Sequence, residues 1–353
     1  MQPKFLIYIS YSYALPIGLP LEAEALKRGY EINWFSDLEE GSLAIRDKKN
    51  VILDIKDVLN YKPDIILTIT DSVPDFINAL KVQIFHGFPA NKRKGTDQFK
   101  IRGLFDLYCT QGTSSTKVFK AISEKNKTFE VIETGWSKVD SLFPLSNVTT
   151  TNVPTILIAS TFTKQYSLAL NDAVIKEIER ISKLNKWYFM IVLHPKLPIS
   201  TKEKIKSIQN DFLKYFDTTD LIPLFKKADI MFSDTTSAII EFLLQKKPVV
   251  TFNNNMPGPY VIDISTIKDI EDAIKVALKR PKYLIDEIEK FAKFSHAFSD
   301  GESSKRVIDA TIKFLYQDKS HLKNKPLNLI RKYKIRKRLN YFTLKSYNKP
   351  YTK

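Results

Sequence analysis

The chain has 353 residues, 43% hydrophobic and 27% charged, with a net charge of +16 and one cysteine. That balance belongs to a globular protein of one large or two ordinary domains, and no apolar run reaches the roughly 20 residues that span a bilayer. The lone Cys109 excludes a disulfide framework and a cysteine metal site. The apolar stretch at 5–9 is too short for a signal-peptide core and reads as a first strand, so the expected compartment is the cytoplasm.

In chain order, short apolar runs alternate with amphipathic segments. Strands are expected over 4–9, 31–35, 64–70, 82–85, 104–110 and 129–133. Helices are expected over 19–28, 55–61 and 73–80, with another before the last strand that Ser114 or Ser115 would cap. The polar, β-branched segment 147–152, followed by Pro154, is the natural linker. A second series follows: strands at 155–159, 187–193, 229–232 and 248–252, and helices at 169–184, 221–227, 237–245, 267–279, 283–294 and 303–316.

Such alternation predicts parallel, doubly wound sheets. The expected architecture is α/β of the GT-B kind: a Rossmann-like domain over 1–147, then a second over 153–318 with closing helices, to which the family resemblance given below assigns acceptor and nucleotide-donor binding respectively. A basic amphipathic tail covers 319–353. Ligands in these sheets bind beyond the carboxyl ends of strands, which in a two-domain version would meet across a cleft.

Strand ends are therefore where chemistry is sought. His86-Gly87 follows the strand at 82–85, and His194-Pro195-Lys196 follows 187–193, so two of the four histidines occupy strand ends. Ser233-Asp234-Thr235-Thr236-Ser237 leads into a helix whose start would offer backbone N–H groups and hydroxyls to phosphate. Glu241, one turn on, shares a face with Ser237 and suits ribose hydroxyls. No cluster of acids has metal-ligand spacing, so neither a metal nor a cofactor is expected.

From Lys319 to Lys353 there are twelve Lys or Arg and no acid, so most of the net charge sits in that segment. Arg331, Lys332, Arg336, Lys337 and Arg338 interleave with Leu329, Ile330, Ile335 and Leu339. A basic arm of this kind suits an anionic membrane surface, at about 1 kcal/mol per cation. It could equally bind nucleic acid or be a solvated tail; the membrane is the expectation. Lys92, Arg93 and Lys94, just past His86, suit an anionic acceptor, the membrane or a solvated loop.

The ordered set HGFPANKRKG, TGWSKVD, LHPK, FSDTTSAIIEF, KKPVVTF and SDGESSKRVID resembles the CDP-glycerol glycerophosphotransferases of teichoic-acid and capsule assembly, over about residues 82–312. The resemblance implies transfer of glycerol phosphate, or a related alditol phosphate, to a hydroxyl of a membrane-linked polymer, with release of CMP. It implies His86 as general base and His194 near the donor's phosphates. Lys138 would lie on the pyrophosphate, Thr235, Thr236 and Ser237 on phosphate oxygens, and Glu241 on the ribose. Gly87, Gly135, Asp140, Ser233 and Asp234 complete the implied donor contacts. Ser137-Lys138 stands where the family has Pro-Arg, which trades a bidentate fork for a point charge. Thr-Thr-Ser replaces Tyr-Ser-Ser and Glu241 replaces Asp, which leaves the transferred group open.

The implied partners are a CDP-alditol or other nucleotide-activated donor, a lipid-linked acceptor and the anionic inner face of a bacterial cell membrane. No nucleic acid is expected. Two competitors stand beside this reading. The same fold could serve a nucleotide-sugar glycosyltransferase or a UDP-sugar 2-epimerase-like enzyme. The basic tail could instead mark a nucleic-acid or scaffold protein.

Overall fold

The computed structural model describes residues 2–88, 97–145 and 153–353; Lys92, Arg93, Lys94 and the 147–152 linker lie outside them. The chain divides into two compact units, residues 1–140 with 295–353, and residues 141–294.

In the first unit the elements run β1 (Phe5–Ile9), α1 (Leu15–Lys27), β2 (Ile32–Ser36), α2 (Glu39–Ile45), α3 (Ile55–Tyr61), β3 (Ile65–Thr68), β4 (Leu80–Ile84), β5 (Leu107–Thr110), α4 (Thr113–Asn126) and β6 (Glu130–Glu133). All six strands are parallel in the order β2-β1-β3-β4-β5-β6. The inner strands β1, β3, β4 and β5 are buried along their whole length, as parallel sheets covered on both faces require.

The helix expected over 73–80 does not form. Pro74 disfavours helical geometry at Val73, and the carbonyls of Ile77 and Ala79 accept from the buried Lys81 ammonium instead, at 2.7 and 3.3 Å. That ammonium is fully buried, and desolvation lowers its pKa to about 8.

The second unit contains β7 (Thr155–Ser160), α5 (Asp172–Ser182), β8 (Tyr188–Leu193), α6 (Ile199–Ser207), β9 (Leu213–Phe216), α7 (Ile222–Lys227), β10 (Ile230–Ser233), α8 (Ala238–Leu243), β11 (Val249–Phe252), β12 (Ile262–Ile264), α9 (Ile270–Leu278) and α10 (Lys282–Ser295). Its parallel sheet is ordered β9-β8-β7-β10-β11-β12. That is the 3-2-1-4-5-6 order of dinucleotide-binding folds, with the switch point between β7 and β10. Helix α5 starts three residues later than expected because Asn171 caps it, its side chain accepting from the N–H groups of Ala173 and Val174 at 3.2 and 3.3 Å. Strands β9 and β12 have partly exposed, polar-containing sequences, and so lack the apolar signature that marks the inner strands.

After α10 the chain rejoins the first unit. Helix α11 (Ser303–Tyr316) therefore corrects the expected division, which grouped it with the second domain. Its ties explain the placement. Arg28, just past the end of α1, donates to Asp309 at 2.5 Å, and Asp140 accepts from the N–H groups of Ser303 and Ser304 at 2.8 and 2.7 Å.

The basic tail is likewise not a free arm. It carries α12 (Leu329–Arg338), and many of its cations are bound to acids of the first unit. Arg336 grips Asp75 with both terminal nitrogens at 2.7 and 3.1 Å, and Lys332 lies 3.6 Å from the same carboxylate. Arg338 donates to Asp37 at 2.8 Å, Lys353 to Asp64 at 2.9 Å, and buried Lys325 pairs with Asp106. Lys332, Arg336 and Arg338, expected to face acceptor or membrane, instead hold the tail down, while Lys337 is exposed.

Burial pushes the Asp75 carboxyl up, but the hydrogen bonds from Arg336 and Ser346 win and hold it below the usual range. Removing this carboxylate strands two buried cations, so Asp75→Ala should cost about 3–5 kcal/mol. Lys349→Ala, at an exposed position, should change stability little. Urea unfolding of both variants measures the difference; an Asp75→Ala midpoint equal to that of Lys349→Ala would contradict it.

Candidate active site

In the second unit the switch point is built around Asp234. It is fully buried, and its carboxylate accepts from the Ser160 hydroxyl at 2.6 Å and from the N–H groups of Thr161 and Leu168 at 3.0 Å. Ser233 is spent similarly, donating to the Ala159 carbonyl at 2.6 Å. Burial pushes the Asp234 carboxyl above its usual range against those hydrogen bonds. Ser233 and Asp234, expected as donor contacts, thus sew the end of β10 to the end of β7 and the loop after it. They shape the site without presenting groups to it.

The next three residues do present groups. Thr235 and Thr236 are partly exposed and Ser237 is exposed. The Thr235 hydroxyl accepts from the Asn255 N–H at 3.1 Å, which joins the loops after β10 and β11. Ser237 makes no side-chain cap bond at the start of α8, so its hydroxyl is not committed to the helix. Helix α8 has only six residues, so hydroxyls and local N–H groups, more than a long macrodipole, would serve a phosphate here. Glu241 is 5% exposed; it is a buried carboxylate, not an ordinary surface acid.

His194, one residue past β8, packs its ring on Phe162 with centroids 4.4 Å apart. Its Nδ1 accepts from the Lys196 N–H at 3.1 Å, which puts the ring proton on Nε2. Burial, then Lys196 and Lys202, lower its pKa. Those effects favour the neutral ring, whose Nε2–H is a hydrogen-bond donor.

In the first unit His86 is exposed two residues past β4, its ring 5.5 Å from that of Tyr13, which in turn stacks on Tyr11 at 5.3 Å. The adjoining backbone is fixed from two sides. Trp136 donates its indole N–H to the Phe85 carbonyl at 2.7 Å, and Gln111 donates to the Gly87 carbonyl at 2.9 Å. Lys138 places its ammonium 5.3 Å from the centre of the Trp136 ring. Trp136 thereby brings the loop of His86 and the loop of Lys138 together at one end of the sheet.

The Trp136 loop is locked in turn by His296. The imidazole Nε2 accepts from the Trp136 N–H at 2.9 Å, and Nδ1 lies 2.6 Å from the Phe298 carbonyl and donates to it. Gly135 sits at φ +80°, where a Cβ would come within 2.4 Å of the Ser303 hydroxyl and 3.0 Å of His296; only glycine fits. Gly135 and Asp140, expected on the donor, instead close the junction with α11. Gly87 has open space around its Cα.

Tyr13, Phe162 and His296 escaped the sequence reading. Tyr13 and Phe162 follow strand ends, the one signal that marked them; nothing local marks His296. Among the described residues, no group of three or more His, Cys, Asp or Glu is placed to hold a metal ion.

Two parallel Rossmann-like sheets in series, with imidazoles and hydroxyls beyond their strand ends, define a GT-B-type enzyme of activated-nucleotide chemistry. The fold is shared with the Staphylococcus aureus MnaA–UDP co-structure (14% identity, TM-score 0.63, 92% of this chain and 99% of that one). It is also shared with Neisseria meningitidis UDP-GlcNAc 2-epimerase bound to UDP-GlcNAc (16%, 0.61, 88% and 100%). A third structure is the wall teichoic acid polymerase TagF, solved as a histidine-to-asparagine variant soaked with CDPG (14%, 0.60, 89% and 89%). No curated protein matches the sequence. The profile of the CDP-glycerol:poly(glycerophosphate) glycerophosphotransferase family matches residues 68–313, and the chain belongs to that family.

The His296 lock carries a pH signature. Burial holds its imidazole down to about 4 in the folded protein, against about 6.5 when unfolded. Its contribution is therefore full above pH 6.5 and is lost as pH falls toward 4, by up to roughly 3 kcal/mol. Urea midpoints across that window should fall in the wild type and fall less in His296→Gln. Parallel profiles would contradict the assignment.

Proposed function

We propose that the chain transfers glycerol phosphate, or a related alditol phosphate, from a CDP-activated donor to a hydroxyl of a lipid-linked surface polymer of the teichoic-acid or capsule type. The work would be done in the cytoplasm, against the inner face of the cell membrane. The observation that carries this reading is the family match, which spans His86, Lys138, His194 and the Thr235–Glu241 segment. The CDPG-soaked TagF structure of the same fold supports the choice of donor.

In this reading the acceptor oxygen attacks the phosphorus that bears glycerol, and the bond from that phosphorus to the bridging oxygen breaks, so CMP leaves with the bridging oxygen. His86 takes the acceptor's proton, as a solvent-accessible imidazole can. In the second unit the His194 Nε2–H meets the diphosphate, with the Thr235, Thr236 and Ser237 hydroxyls as further donors, and Glu241 accepts from the ribose; for Lys138, in the first unit, the family resemblance implies a part in donor binding. Most of the rate in such phosphoryl transfer comes from positioning and from charge stabilisation on the leaving group. The fixed backbone on either side of His86 and the tie between Thr235 and Asn255 supply that positioning.

A UDP-sugar reading keeps one observation in its favour, the fold shared with two epimerase structures, and a donor panel decides between them. With a membrane-fraction acceptor, CDP-glycerol should yield CMP while UDP-GlcNAc yields neither UMP, UDP nor an epimer. CMP release from no CDP-alditol, with turnover of UDP-GlcNAc, would overturn the proposal.

Two substitutions separate the roles. His86→Ala should lower kcat by about 10²–10⁴ with an unchanged urea midpoint. Lys138→Ala should weaken donor binding roughly 10- to 100-fold, the worth of a charge-assisted hydrogen bond. Normal turnover in the first, or an unchanged donor Kd in the second, removes that residue from its role.

A further inference from the structure

The C-terminal segment lies beyond the matched residues 68–313, and its exposed surface has a composition that tail anchoring does not explain. Lys332, Ile335 and Arg336 form the buried side of α12. The opposite side turns Leu329, Ile330 and Tyr333 outward, and the chain after the helix adds Phe342 and Leu344; each of these is more than half exposed. At a helical period of 3.6, residues 329, 330 and 333 form one stripe, with Lys337 in line with Tyr333 and Lys334 beside it. Tyr333 and Phe342 approach to 6.3 Å between ring centres. Together with Leu327 and Leu344 they line a groove of about 650 Å³. A buried core would not leave so many large apolar side chains in water, and contiguous patches of this kind mark interaction surfaces.

The charge around the groove has one sign. The segment 319–353 contains no acid. Once the cations that bind Asp37, Asp64, Asp75 and Asp106 are set aside, Lys323, Lys334, Lys337, Lys345 and Lys349 remain exposed, and among the described residues none pairs with a carboxylate. A second copy of the chain would bring lysines against lysines, which opposes self-association through this surface. A nucleic acid would satisfy the lysines but leave the leucines, isoleucine and phenylalanine without a partner. An anionic lipid surface satisfies both, since its headgroups meet the ammonium groups while the apolar stripe enters the acyl boundary.

We infer that the exposed side of α12 and the chain that follows it form a docking surface for an anionic phospholipid bilayer. The buried cations are the anchor that presents this surface, and the exposed lysines with the apolar stripe are the surface itself. The inference concerns where the protein sits and is tested without any donor, so its failure and that of the transferase reading are distinguishable.

The test uses the full chain in co-sedimentation with vesicles of phosphatidylglycerol and phosphatidylcholine, and of phosphatidylcholine alone. Three proteins are compared: wild type, Leu329→Ser with Tyr333→Ser and Leu344→Ser, and Lys334→Gln with Lys337→Gln. Wild type should bind the anionic vesicles, bind phosphatidylcholine far more weakly, and release in high salt. Removing two of the surface cations should weaken anionic binding roughly 30-fold, and the triple variant should lose most of it, both with wild-type urea midpoints. Absence of binding to anionic vesicles, equal binding to both compositions, or equal binding by all three proteins would overturn the inference. So would a concentration-dependent dimer in wild type that the triple variant abolishes, because the groove would then be covered by a second copy.

Discussion

Trp136 is the pivot of the first unit. Its indole N–H reaches the Phe85 carbonyl at the end of β4, and its own backbone N–H is held by His296. The first bond joins two loops that leave neighbouring regions of one sheet, and the second ties both to a segment 160 residues further along the chain. The exposed imidazole of His86, one residue after that carbonyl, therefore stands on backbone that several parts of the chain hold in place. The general-base role proposed for His86 would need this, because proton transfer is useful only within hydrogen-bond reach of the attacking hydroxyl. Buried hydrogen bonds of this kind are costly to leave half made, so the arrangement forms as a whole.

The second unit solves the corresponding problem with a carboxylate. Asp234 gathers a hydroxyl and two backbone N–H groups from the end of β7 and the loop after it, so the switch point is closed by its own polar groups. What remains outward is the Thr235-Thr236-Ser237 run and, past β8, a neutral imidazole stacked on Phe162. In both units inner polar groups hold the strand ends, and the residues beside them are left outward.

The sequence made the two parallel sheets and the strand-end motifs legible because buried parallel strands are continuous apolar runs, and the residues after them are few. It did not reveal which polar residue at a strand end turns inward. Ser233 and Asp234 look like Thr235 and Thr236 when read as letters, yet the first pair is consumed by groups about 70 positions away. Asp140 and Gly135 belong to the junction with α11 for the same reason, their partners lying more than 160 positions later. The tail shows the same limit from the other side. Its cations read as a free basic arm, but Asp37, Asp64, Asp75 and Asp106, the acids that bind Arg338, Lys353, Arg336 and Lys325, are scattered through the first third of the chain. Local pattern reports periodicity and charge; it does not report long-range pairing. The missing helix at 73–80 has a local cause instead: Pro74 disfavours helical geometry at Val73, and the buried Lys81 ammonium takes the carbonyls of Ile77 and Ala79.

Family membership and fold fix the class of chemistry, and the proposed function divides its parts: nucleotide and phosphates to the strand ends of the second unit, activation of the incoming hydroxyl to His86. Calorimetric titration of CDP-glycerol into the wild type, His86→Ala and the double variant Thr236→Ala with Ser237→Ala tests that division most directly. The account predicts a donor Kd in His86→Ala close to wild type and one at least tenfold weaker in the double variant. Loss of donor binding in His86→Ala, with full affinity retained when the hydroxyls are gone, would contradict it.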